Sequence, residues 1–288
     1  MRAESCAKAE SRNERRNKMK ELSTERLYEI GKQIRQELML RTLPVAIQFI
    51  EKADDFPPRL KFPHNDLDAR LAPCQALHIV RTWGISVGMM YEDFLNMPCS
   101  VFYGLAERFD EELAKHWVEE MGFFKDIETA MKFIKSAPTI PAGDYVGFAL
   151  SPLEWTRVKP DVVVVYGSSG QIGKLILSYI YTQGTGITTT FTGAAGLCSG
   201  GLFPALQDRE VKVFIPGGGE RGIAMTQDDE LGMVIPSERL EDISEGLEAG
   251  KAGATRYPVR SYLHFTAVDH PYVKVIERIK KVEPKHKT

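Results

Sequence analysis

Three cysteines stand at breaks in the chain, in the settings Ala72-Pro73-Cys74, Met97-Pro98-Cys99 and Gly196-Leu197-Cys198, and each is followed by residues that read as the start of a helix. A thiolate at a helix N-terminus is favoured by the local dipole, which suits metal ligation or redox chemistry. None of the three forms a C-x-x-C pair, so spacing alone favours buried structural thiols over a shared zinc or iron–sulfur site. Cys6 lies in a charged N-terminal stretch and reads as incidental.

Two glycine-rich segments add chemistry of another kind. Tyr166-Gly167-Ser168-Ser169-Gly170-Gln171-Ile172-Gly173-Lys174 joins an apolar strand to a helix, where glycines could let a pyrophosphate approach the backbone. Its spacing is G-x-x-G-x-x-G, no acid ends a second strand to read a ribose, and the Walker spacing is missing, so a tight structural turn is the stronger expectation. Pro216-Gly217-Gly218-Gly219-Glu220-Arg221-Gly222 could turn main-chain N–H groups toward a ligand, with Arg221 as a guanidinium anchor for a carboxylate or phosphate. A mobile hairpin loop is the competing reading. Of the six histidines, His64, His78, His116, His264 and His270 show no H-x-x-x-H or H-E-x-x-H pairing, and there is no G-x-S-x-G elbow.

The elements that must position these residues follow from periodicity. Leu27, Ile30, Ile34 and Leu38 recur every three to four residues and predict a helix from Leu22 to about Met39. Leu43–Ile50 and Asp161–Tyr166 are continuous apolar runs, as buried strands are. Helices are expected over 75–83, 107–121, 127–134, 171–182 and 237–248, the last capped by Ser237. Further strands are expected at 145–150, 187–191, 211–215 and 231–235. The two halves share a weak internal strand–helix–strand repeat, aligning Val45–Phe49 with Val162–Tyr166, Cys74-Gln75 with Gly170-Gln171, and Cys99 with Cys198. The class is α/β, a mixed sheet flanked by helices. Residues 1–21 form a flexible charged arm, 22–275 one compact domain and 276–288 a polar tail.

Composition narrows the function. The 288 residues carry 37 Lys plus Arg against 39 Asp plus Glu, a formal charge of −2, so no global field draws the chain to nucleic acid. No apolar run reaches the roughly 18 residues of a membrane helix, and the first 20 residues lack a signal peptide's apolar centre. These features point to the cytoplasm, where sparse cysteines stay reduced.

Leu43-Pro44-Val45-Ala46-Ile47-Gln48-Phe49, Cys74, Pro98-Cys99-Ser100 with Gly104-Leu105, Cys198, and the stretch from Asp228-Asp229-Glu230-Leu231 through Ile235-Pro236 and Leu240-Glu241-Asp242-Ile243 to Gly246-Leu247 together resemble the domain of unknown function 169 family. That family is prokaryotic and common in archaea and anaerobic bacteria, and the likeness spans about Leu22 to Phe265. An anaerobic setting implies an oxygen-sensitive centre, with Cys74, Cys99 and Cys198 holding a [4Fe–4S] cluster and one iron left open for a small anionic ligand near Gly217, Gly218, Gly219 and Arg221. The expected role is a redox enzyme or electron carrier, with a redox partner protein or a second copy as partner. The alternatives are a nucleotide-dependent oxidoreductase using residues 167–173, and a non-catalytic accessory or ligand-sensing subunit of a larger complex.

Overall fold

A computed structural model describes residues 22–249, so the expected arm (1–21), the polar tail (276–288) and the end of the expected domain (250–275) lie outside the described residues. Among the described residues no helix is long and apolar enough to cross a membrane.

The first element among the described residues is α1 (Thr24–Leu38), whose first turn is capped by Ser23: its Oγ accepts from the Arg26 N–H at 3.2 Å. Met39 ends the helix in the left-handed conformation, φ 51°. Among the described residues six strands follow: β1 (Val45–Ile50), β2 (Val87–Met90), β3 (Gly147–Pro152), β4 (Val162–Ser168), β5 (Lys212–Phe214) and β6 (Glu230–Pro236). They form one sheet in the order β2-β3-β1-β4-β6-β5. Helices lie on both faces, as the α/β expectation required. The pairing is antiparallel in every ladder, however, where a mixed sheet was expected. The cause is insertion. β1 and β2 run parallel to each other, as a helical crossover dictates, but β3 enters between them antiparallel to both, and β6 does the same between β4 and β5.

That shared device makes the sheet two-fold symmetric in register. Val45 pairs with Pro152 as Val162 pairs with Pro236, and Val87 pairs with Leu150 as Lys212 pairs with Val234. The central ladder exchanges the halves, Val45 with Val164, Ala46 with Val163 and Ile47 with Val162. A short 3-10 turn follows the third strand of each half, Leu153–Trp155 and Ser237–Arg239.

Alternation along the central strands splits the interior into two cores. Val45, Ile47, Phe49, Val162, Val164 and Tyr166 face a core shared with α3 (Pro73–Trp83), α4 (Met97–Phe102), α5 (Asp110–Glu119), α6 (Ile127–Ser136), the π-helical turn Gly196–Leu202 and α8 (Phe203–Asp208). The remaining short helices are α2 (Pro63–Asp66), beside β2, and α9 (Gly218–Ile223), before β6. Ala46, Ile50, Val163 and Val165 face the other core, closed by α1, α7 (Ser169–Gln183) and α10 (Leu240–Ala249).

The repeat is therefore present in the sheet, with Val45 and Val162 equivalent as expected, but its helices match differently. α7 packs on the second core, so it cannot be the counterpart of α3, which packs on the first. The element equivalent to α3, placed before the second strand of its half and on the same face, is the π-turn with α8. Cys74 thus corresponds to Cys198 and not to Gly170.

Two local expectations also change. Residues 187–191 form no strand; Thr189 instead donates its hydroxyl to the Val213 carbonyl at 2.6 Å, a side-chain bond in place of a ladder. Ser237 does not cap α10, because the 3-10 turn intervenes and its hydroxyl bonds Glu238 at 3.3 Å.

The two outer helices of the second core approach closely at Gly246, where an added Cβ would lie 2.0 Å from the Ser178 carbonyl oxygen. Backbone cannot yield as a side-chain tip can, so Gly246→Ala is expected to cost about 1–3 kcal/mol and several degrees of Tm. Thermal unfolding of the variant checks this; an unchanged Tm would mean that α7 and α10 stand further apart in solution.

Candidate functional site

Proline starts the helices that carry the first two cysteines. Pro73 opens α3, and the Gln75 side chain folds back to accept from the Ala72 N–H at 2.9 Å. In α4 the Asn96 carboxamide oxygen accepts from the Cys99 N–H at 3.1 Å, fixing Cys99 in the first turn. Cys198 lies in the π-turn, which can hug the next segment because Gly196 has no side chain: a Cβ there would meet the Ile215 oxygen at 2.2 Å and the Gly217 nitrogen at 2.7 Å.

These three segments bring Cys74, Cys99 and Cys198 to one cavity of about 630 Å³, together with Gly217, Gly218, Gly219 and Glu220. An aromatic and apolar part of the wall comes from Phe109, Leu113, His116 and Trp117 of the α5 region and from Phe123. All three cysteines are free thiols. Burial pushes each of them up: Cys99 to about 12, Cys74 higher, where Cys99 and Glu220 add repulsion, and Cys198 well above the usual range, where Cys99, Cys74 and Glu220 do the same. The Cys198 sulfur is 3.5 Å from Tyr103 Oη, and that phenol is itself buried and driven upward. Among the described residues no group of three or more His, Cys, Asp or Glu stands ready to hold a metal ion.

Glu220 was not singled out from the sequence, where an acid beside three glycines resembles a surface loop. It is 4% exposed, and both of its oxygens accept hydrogen bonds. Its Oε1 accepts from the Tyr166 hydroxyl at 2.6 Å, and its Oε2 accepts from the Leu197 N–H at 2.9 Å and the Gly217 N–H at 2.8 Å. Burial raises its carboxyl despite these three bonds. The one signal available was its place three residues after a glycine that begins a helix.

Arg221, expected as the anion anchor, does not line the cavity. It follows Glu220 by one residue, roughly 100° around the helix, and so faces away. Its Nε donates to the Pro216 oxygen at 3.1 Å and its Nη1 to Asp228 at 2.9 Å. The lining includes no Lys or Arg, and it includes the carboxyl side chains of Glu112 and Glu220.

The Gly167–Gly173 turn is closed upon itself. Ser168 and Gln171 form a capping box, and the Gln171 carboxamide donates to the Leu38 oxygen at 2.9 Å and the Met39 oxygen at 3.2 Å. The turn therefore anchors α7 to the end of α1, with the Gln171 side chain standing over the helix start that a phosphate would need.

The DUF169 family model, described as uncharacterised ArCR, matches residues 33–246, a span that holds the sheet and every wall of the cavity. The chain belongs to this family. Among curated proteins, the DUF169 chain is 23% identical over 224 residues to the uncharacterized protein MJ0308 of Methanocaldococcus jannaschii, covering 77% of this chain and 94% of that protein. No solved structure matches it.

Proposed function

We propose that this protein carries a [4Fe–4S] cluster held by Cys74, Cys99 and Cys198, with the fourth iron turned toward the cavity, and that it works as a redox or electron-transfer protein in a reducing, cytoplasmic setting. The observation that carries the reading is that three cysteines, from three separate segments and both halves of the repeat, line one cavity. Three thiolates there would be costly to charge without a cation, and iron supplies the cation. A single tetrahedral ion would draw the sulfurs to about 4 Å of one another, whereas a cubane would space them by about 6–7 Å. With no lysine or arginine on its walls, the cavity favours a neutral, largely apolar ligand over the small anion first expected.

Anoxic purification or reconstitution should give a brown protein absorbing near about 400 nm, with iron and acid-labile sulfide in equal amounts. Replacing Cys74, Cys99 or Cys198 singly by Ser should bleach that band and lower bound iron, while Cys6→Ser should change neither. A colourless protein without iron or sulfide after anoxic reconstitution would refute the proposal, and stoichiometric zinc would replace the cluster with a single ion.

A further inference from the structure

The two-fold relation within the sheet reaches the cavity. Each half places two segments on its first-core face beside the second strand: one before it and one after it. Before the strand stand α3 with Cys74 in one half and the π-turn with Cys198 in the other. After it stand α4, capped by Asn96, and α9, capped by Gly217. Three residues past those caps lie Cys99 and Glu220. Four positions paired by the repeat thus line the cavity, three carrying thiols and the fourth a carboxylate.

We propose that Glu220 is the fourth protein ligand of this site, its carboxylate binding the iron that no thiolate reaches, an inference that rests on the cluster reading above. Four observations carry it. Glu220 lines the same cavity as the three cysteines. It lies close enough for its charge to act on both Cys74 and Cys198. Its side chain is fixed by Tyr166, Leu197 and Gly217 and so is held ready. Finally, a carboxylate offers about four lone-pair positions, and these three bonds leave one, on Oε1. A carboxylate is a harder and weaker ligand for cluster iron than a thiolate. The fourth iron is then the labile corner: Glu220 covers it at rest, and a neutral ligand entering along the aromatic wall displaces it.

The test is oxidative loss of that corner. One electron removed from [4Fe–4S]2+ by ferricyanide gives a 3+ cluster, which sheds Fe2+ and leaves [3Fe–4S]+ where the fourth iron lacks a protein ligand. Wild-type protein and Glu220→Cys should keep four irons after one equivalent of oxidant. Glu220→Gln, which keeps an oxygen acceptor for the Leu197 and Gly217 N–H groups, and Glu220→Ala should each lose one iron and show the EPR signal of a three-iron cluster. Variants that hold four irons as firmly as wild type would overturn the assignment. So would loss of whole clusters with no three-iron species, which would make Glu220 a clamp between the π-turn and α9 only. Absence of iron and sulfide from every form, wild type included, would fail the cluster reading itself and this inference with it.

Discussion

Arg81→Ala is expected to lower the free energy of unfolding by about 3–5 kcal/mol and Tm by on the order of 10 °C. Arg81 projects from α3 across the sheet to β6, where its Nη1 and Nη2 meet Glu230 Oε1 and Oε2 at 2.8 and 3.1 Å. The two side chains are only 4% and 5% exposed. Truncating the arginine leaves the Glu230 carboxylate buried, with the Gln227 N–H donating to its Oε2 at 2.8 Å but no cation beside it, and an unpaired buried charge is what makes such losses large. The guanidinium also lies 4.2 Å from the centre of the Tyr166 ring, whose hydroxyl holds Glu220, so the loss extends toward the cavity. Replacing both partners, as Arg81→Met with Glu230→Leu, should recover most of the stability, because no charge is then stranded. Urea unfolding of the two variants decides the matter; a loss under about 1 kcal/mol for Arg81→Ala would place the pair in solvent.

The contrast between legible and hidden features has a physical basis. The valines of β4 and the spacing of Leu27, Ile30, Ile34 and Leu38 announce their elements because each pattern is local and matches one structural period. The antiparallel insertion of β3 and β6 is non-local: nothing in Gly147–Pro152 records that it will part β1 from β2. The same gap misaligned the repeat, since Cys74-Gln75 and Gly170-Gln171 look alike as helix starts, yet α3 and α7 lie on opposite faces of the sheet. At the site, proline and glycine marked the segments carrying the three cysteines. Glu220 stayed hidden because its burial comes from Tyr166 and Leu197, which are distant in sequence. Arg221 drew attention by its charge, but one residue along a helix is enough to turn it out of the cavity.

Alkylation of the metal-free protein at pH 8 should proceed about a hundredfold or more slowly at Cys74, Cys99 and Cys198 than in the urea-unfolded chain, where thiols ionise near about 8.5. The thiolate is the nucleophile, and burial pushes Cys99 up to about 12, Cys74 higher and Cys198 well above the usual thiol range, so the reactive form is scarce at pH 8. The native rate should then keep climbing with pH beyond 9 instead of levelling off. The sign of the linked stability follows. A thiol raised in the folded state contributes stability that is fully present below the unfolded value, about 8.5, and is lost as pH rises toward the folded value. The metal-free protein should therefore weaken steadily above about pH 8.5, and Ser in place of each cysteine should flatten that fall. Iron acts in the opposite direction: each thiol must release its proton to bind, so cluster assembly gains from rising pH over the range in which the empty fold loses stability. Iodoacetamide labelling with mass spectrometry, run native and in urea across pH 7–10, reads the first effect directly. Native rates equal to those in urea would put the three thiols in water and remove the physical reason for assigning them to a buried cluster.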